Sequence, residues 1–477
     1  MSRSRDATVV SSLLMLALAL RSVSGQQPGA ADALPPMPLL HCSKAGGCTE
    51  EQAAITLDAN WRWLHETDGY KNCYKDSDWD ATLCPDPATC ASKCALEGVT
   101  LDKYVGTYGI ETYQKGVEMK FVTQHQYGKN YGSRVYMMDT GSDSYKMFHL
   151  KNREFRVDVD VAELPCGLNG AVYFVEMDRL GGKSATNKAG AHFGTGYCDA
   201  QCPHDVKFID GEANLLNWQD QSIPPMGKYG SCCAEMDIWE ANSRATAYTP
   251  HPCDLTGPMR CEGSTCGDTQ SGERYAGVCD KDGCDFNSYR LGDKAFYGEN
   301  SNFKVDTKQP LTVVTQFLTH DGTDFGDLSE IRRFYVQGGQ VIPNSEATIL
   351  GPHAGISITD AFCQQQKAAF NDTNDFAAKG ALKRMGDALD RGMVLVMSLW
   401  DDTEANMLWL DSKFPTDAPA DQKGAERGPC PGGDLSKPEY LRSTYPGASV
   451  KYWNIAVGEI DTTFAASRRL ASAPVQV

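Results

Sequence analysis

The sequence predicts an all-β fold, a sandwich of strands whose long connecting loops are stapled by disulfides. Three observations point there. Several short segments alternate apolar with charged residues or are dense in β-branched and aromatic side chains. Only two stretches carry a helical pattern, and the chain holds 18 cysteines, most of them in local clusters. In chain order the strands are "EFRVDVDV" from Glu154, "AVYFVEMD" from Ala171, "LTVVTQFL" from Leu311, "RRFYVQGGQVI" from Arg332 and "GMVLVMSLW" from Gly392. The Gly338, Gly339 pair signals a hairpin. The helical stretches are Asp360 to Gln366 and Asp375 to Leu389, the second stopped by Gly392. The remainder reads as strand separated by long Gly- and Cys-rich loops.

At the N-terminus Arg3 and Arg5 precede the apolar run Val9 to Leu20, and Ser22, Ser24 and Gly25 follow. This is the pattern of a secretory signal at 1–25, too short to span a bilayer comfortably, and the expected product is a secreted, extracellular protein. Export favours oxidation, so the cysteines are expected in disulfides. "CDAQC" at Cys198 and Cys202 could hold zinc, but no second pair of ligand spacing accompanies it. Adjacent Cys232 and Cys233 point to opposite faces of a strand and need two different partners, for which Cys198 and Cys202 are candidates. The net charge of −17 becomes −19 once the three Arg and one Asp of the signal leave. Nucleic acid and anionic membrane are therefore poor partners. A short lead-in at 26–40, one catalytic unit at 41–462 and a tail at 463–477 are expected, since no linker, repeat or later composition break divides the 477 residues.

The chemistry concentrates in "SCCAEMDIWEAN", where Glu235, Asp237 and Glu240 fall within six residues. A solvated acidic face is the alternative. On a strand Glu235 and Asp237 share a face, roughly 7 Å apart at the backbone. Glu240 has the wrong parity. Either it points away, or a bulge between Ile238 and Glu240 returns it to the same side. In the second case one cleft holds three acids, the requirement of a retaining glycosidase: two carboxyls about 5 to 5.5 Å apart, one to attack and one to protonate. Crowding also separates their pKa values. Trp61, Trp63, Trp400 and Trp409 stand beside charged or amide residues and offer platforms for sugar rings, with one or two of them expected in the core.

"EMDIWEAN", preceded by "GSCC" and followed by "TPHPC", resembles the active-site strand of glycoside hydrolase family 7 cellulases, particularly the cellobiohydrolases. The likeness continues in order through "DANWRW", "LPCGLNGAVYFVEMD", "GTGYCDAQCP", "KFIDGEAN", "DGCDFNSYRLG" and "MVLVMSLWDDTEANMLWLDS", roughly from Leu40 to Ile460. The resemblance implies a concanavalin-like β-jelly roll of two curved antiparallel sheets, whose loops form a substrate tunnel. It implies Glu235 as nucleophile, Asp237 as its assistant, Glu240 as acid/base and His251 on the leaving-group side. Trp63, Trp400 and Trp409 would stack on glucose units, which leaves Trp61 for the core. Asn169, Tyr173, Asp199, Gln201, Asp282, Asp285 and Arg290 are implied as further substrate contacts, with Arg274 and Arg427 holding the departing cellobiose.

The cysteines pair by the same resemblance as Cys42–Cys48, Cys73–Cys94, Cys84–Cys90, Cys166–Cys430, Cys198–Cys233, Cys202–Cys232, Cys253–Cys279, Cys261–Cys266 and Cys284–Cys363. A tenth bond of fungal members lacks both partners here, one position being Ala95, so the N-terminal segment is expected to be held less firmly. The loops "CEGSTCGDTQSGERYAGVC" and "TDAPADQKGAERGPC" look like the tunnel-forming ones of cellobiohydrolases, while "WQDQSIPPMGKYG" looks shorter and would leave the roof less complete. The implied activity is processive release of cellobiose from the reducing ends of cellulose by a monomer, with no metal or organic cofactor. With "FAASRRLASAPVQV" as its last residues, the chain is expected to work without a cellulose-binding module. An open-groove endoglucanase, a β-1,3-glucanase and a non-enzymatic sugar binder remain as alternatives.

Overall fold

The computed structural model describes residues 26–464 except 140, 142, 269–271, 352 and 353. The expected signal and the tail beyond 464 lie outside the described residues. Two large sheets face each other. One runs β1 (Ala53–Leu57), β2 (Ser133–Asp139), β3 (Leu168–Val175), β4 (Glu235–Ala241), β5 (Thr246–His251), β6 (Phe286–Asn287) and β7 (Met393–Asp401). Its spatial order is β6-β5-β4-β3-β7-β2-β1, antiparallel throughout. The other sheet is built on Leu328–Gln337, Leu311–Thr319, Arg153–Asp160, Ser449–Gly458 and Gly116–Lys120. This is the all-β jelly-roll sandwich the sequence predicts.

Period-two alternation sets the two faces of the first sheet. From β3, Leu168, Val172 and Phe174 enter the core between the sheets, and from β7 Met393, Leu395, Met397 and Leu399 do so. Each such burial contributes about 1.5 to 3 kcal/mol. The intervening Ala171, Tyr173, Val175, Val394 and Val396 join a second cluster with Tyr197, Cys198 and Cys233, beneath the loops. The sheet is therefore apolar on one face and loop-covered on the other, and the second face is where side chains are free for chemistry.

The predicted strands all form, with "AVYFVEMD" starting at Leu168 and leaving the ladder after Val175. Gly338 and Gly339, at φ 56° and 76°, turn the predicted hairpin, a conformation glycine adopts without a Cβ clash. The first predicted helix runs on to Phe370 and stops at Asn371, whose φ is 59°. The second is broken into Asp375–Ala378 and Ala381–Arg391, because Gly380 takes φ 91°. All nine implied disulfides are present and no cysteine is free. Cys198 and Cys202 are thus committed to sulfur–sulfur bonds, which removes the zinc alternative.

Contacts other than a disulfide hold the N-terminal segment. Gln27 and Pro28 pair with Ala95 and Leu96, and Asp32 forms a two-armed ion pair with Arg62 at 2.9 Å on each arm, fully buried. Main-chain pairing and a buried charge pair hold this segment without the missing disulfide.

Candidate active site

The parity question is settled at Ile238. Across β3, Asp237 faces Tyr173 but Trp239 faces Val172, so Ile238 has no partner. Across β5, Asp237 faces Thr249 and Glu240 faces Ala247, so Ile238 and Trp239 together oppose Tyr248. This two-against-one register is a β-bulge. Met236, Ile238 and Trp239 are all 0% exposed and belong to the core between the sheets. Two consecutive side chains therefore point inward, and Glu240 returns to the face of Glu235 and Asp237.

Each acid has a distinct environment. Glu235 accepts a hydrogen bond from the Ala200 backbone N–H at 3.1 Å. Burial, followed by the charges of Asp237, Asp199 and Glu240, pushes its carboxyl well above the usual range. Glu240 accepts from the Asn169 side-chain amide at 3.0 Å and is raised likewise by burial and then by Asp237. Asp237 lies 3.0 Å from His251 Nε2, while His251 Nδ1 donates to the Asp280 carbonyl at 2.8 Å. Burial works against the charged imidazole, but the Asp237 hydrogen bond and charge outweigh it and push His251 up to about 9. Imidazolium thus stands beside Asp237, while burial and the neighbouring carboxylates raise both glutamates. Gly283, at φ 63°, packs under this imidazole: a Cβ there would fall 2.7 Å from His251 Cε1.

Residues the sequence reading missed complete this face. Tyr197 bridges Tyr173 and Asp199, with its hydroxyl 2.9 Å from that of Tyr173 and donating at 2.6 Å to Asp199. The Arg134 guanidinium lies 3.3 Å above the Tyr197 ring and donates to Asp58 at 2.8 Å. Tyr197 stood in the quoted "GTGYCDAQCP", two residues before Asp199; Arg134 gave no local signal.

A sequence profile described as glycosyl hydrolase family 7 matches residues 28–464. The chain belongs to glycosyl hydrolase family 7. Solved structures agree. A family 7 cellobiohydrolase from Daphnia pulex is 50% identical with a TM-score of 0.89, over 92% of this chain and 100% of that one. A cellobiohydrolase from Melanocarpus albomyces, solved with cellotetraose, is 40% identical with a TM-score of 0.83, over 92% and 100%. The Humicola insolens endocellulase EGI is 36% identical with a TM-score of 0.76, over the same shares of 92% and 100%. The protein is accordingly a glycosidase.

In this family 7 glycosidase the other expected residues occupy two groups. Near β3, Asn169 and Tyr173 project beside Glu240 and Asp237, and Asp199 accepts from the Gln201 backbone N–H at 2.8 Å. Gln201 itself donates to the Lys281 carbonyl at 2.8 Å. Beyond β6, Arg274 holds Asp282 at 2.6 Å, and Arg290 is buried, donating to Asp285, to Asp372 and to the Gly424 carbonyl. Arg427 is lowered to about 10 by burial and by the neighbouring Arg290, and its Nε has no partner among the described residues. A cation with an unfilled donor is suited to an oxygen-rich ligand. Trp400 and Trp409 stack with ring centres 6.4 Å apart. Trp63 is 36% exposed and stacks on Tyr70 at 6.3 Å, whereas Trp61 packs against the core and donates to the Gly132 carbonyl.

Proposed function

We propose that this family 7 glycosidase is a secreted, monomeric, retaining cellulase that hydrolyses β-1,4-glucosidic bonds of cellulose and releases cellobiose processively from reducing ends. The observation that carries the reading is the bulge at Ile238, which gathers two raised glutamates and one charge-compensated aspartate on one face. Glu235 is the nucleophile, the role the family resemblance implies for it, and the Ala200 N–H helps to hold its anion. Glu240 donates its proton to the glycosidic oxygen as Glu235 attacks the anomeric carbon, giving a glycosyl-enzyme. Glu240 then takes a proton from water, which releases the sugar. Asp237, fixed by His251, orients Glu235. Trp63, Trp400 and Trp409 stack on glucose rings, and Arg274 and Arg427 hold the departing cellobiose. Glu235→Gln is expected to bring turnover to near zero while cellotetraose binding, followed by tryptophan fluorescence, is kept; full activity in that variant rules the assignment out.

Loop contacts support the exo mode. Cys253–Cys279 closes one loop, Cys261–Cys266 closes a smaller one within it, and Gln201 donates to the Lys281 carbonyl just beyond. The likeness to an endocellulase favours a second reading, an open-groove endoglucanase. Soluble carboxymethyl-cellulose separates the two: viscosity should stay high while reducing ends accumulate, and a rapid fall would favour the endo reading.

A further inference from the structure

Behind the bulge lies a charge that the chemistry above does not use. Arg333 sits on Leu328–Gln337 of the opposite sheet, directly across from Thr315, at an inward core position between Ile331 and Tyr335. It is 1% exposed. Its Nε donates to Thr315 Oγ1 at 3.1 Å, and one terminal nitrogen donates to the Ile238 carbonyl, the unpaired residue of the bulge. The guanidinium lies 4.3 Å over the Tyr248 ring and 5.8 Å from that of Tyr335. Its other terminal nitrogen has no partner, and no carboxylate pairs with it among the described residues.

A guanidinium cannot shed its proton, so this is a full charge buried among a carbonyl, a hydroxyl and ring faces. Such a group is a poor choice for packing alone. A bulge, however, takes its extra residue out of the ladder, and a buried backbone carbonyl there needs a donor. Arg333 supplies that donor from across the core. Without it the strand gains by straightening, and a one-residue shift in a strand turns every later side chain to the other face. We propose that Arg333 is a positioning residue for Glu240: by pinning the Ile238 carbonyl it holds the bulge that keeps Glu240 on the face of Glu235.

The proposal rests on Glu240 being the acid/base, and azide separates the two claims. Azide attacks the anomeric carbon of the glycosyl-enzyme without needing a base, expelling the Glu235 carboxylate and giving β-cellobiosyl azide; a dinitrophenolate leaving group needs no acid. Arg333→Met should lose about 10²-fold in kcat on cellotetraose, with KM changed less than about threefold. On dinitrophenyl β-cellobioside, azide should restore most of its rate with cellobiosyl azide as product. An unchanged kcat, or a loss that azide does not restore, overturns the proposal. Arg333→Lys keeps the charge but cannot reach both Thr315 and Ile238. It should show the same azide-responsive loss at about tenfold, and it carries the test by the same criteria if the methionine variant does not fold. Glu240→Ala is the control: failure of azide to restore its rate rejects the acid/base reading itself.

Discussion

Glu240 lies beside Asn169 and Asp237 with its carboxyl raised well above 4.5. A raised folded-state pKa means that the folded protein binds this proton more tightly than the unfolded chain does. The associated stability is fully present below about 4.5 and is lost as pH rises through the folded pKa. Glu240→Gln, which carries no such charge, is therefore expected to melt at a higher temperature than the wild type at pH 7. The gap should close as pH falls below about 4. A gap independent of pH would show that charge is not its source. At this scale the sequence was partly legible. The spacing of Glu235 and Asp237 put them on one face, but the position of Glu240 depended on whether Ile238 left the ladder. That in turn depends on Arg333, which is 95 residues away in sequence. Tyr197 and Arg134 were hidden for the same reason, since their partners come from other segments.

The strand β4 is anchored at its entrance. Cys232 and Cys233 bond to Cys202 and Cys198, and between those two lies Ala200, whose N–H meets Glu235. The disulfides thus hold a donor against the carboxylate. Replacing Cys198 and Cys233 together by serine leaves Cys202–Cys232 closed, so it opens a ring of only about seven residues and should cost roughly 2 kcal/mol by loop-closure entropy. It should also lower kcat more than it raises KM for cellotetraose; a stability loss with kinetics unchanged would separate the staple from the site. Strands were well read because alternation and β-branched residues mark them locally. Helices were not. Pro87–Lys93, Leu101–Gly106 and Pro438–Thr444 are too short to display a 3.6-residue period, and the break at Gly380 comes from a left-handed backbone that apolar spacing does not encode.

For the molecule as a whole, two sheets divide the labour: one face builds the core, and the other carries acids and aromatic rings under stapled loops. The overall architecture was legible because strand patterning, cysteine count and family motifs agreed along most of the chain. The unpredicted part was how the N-terminal segment is held, because the buried pair Asp32–Arg62 joins residues with no local pattern. The bulge brings Glu235 and Glu240 to one face, where the proposed double displacement needs both. Stereochemistry reports on this most directly. Proton NMR during cleavage of cellotetraose should show the newly formed reducing ends as the β anomer, in excess over the equilibrium mixture carried by the substrate's own reducing end, with that excess decaying by mutarotation. An initial excess of the α anomer among the newly formed ends would mean single displacement by water, with Glu235 not acting as nucleophile.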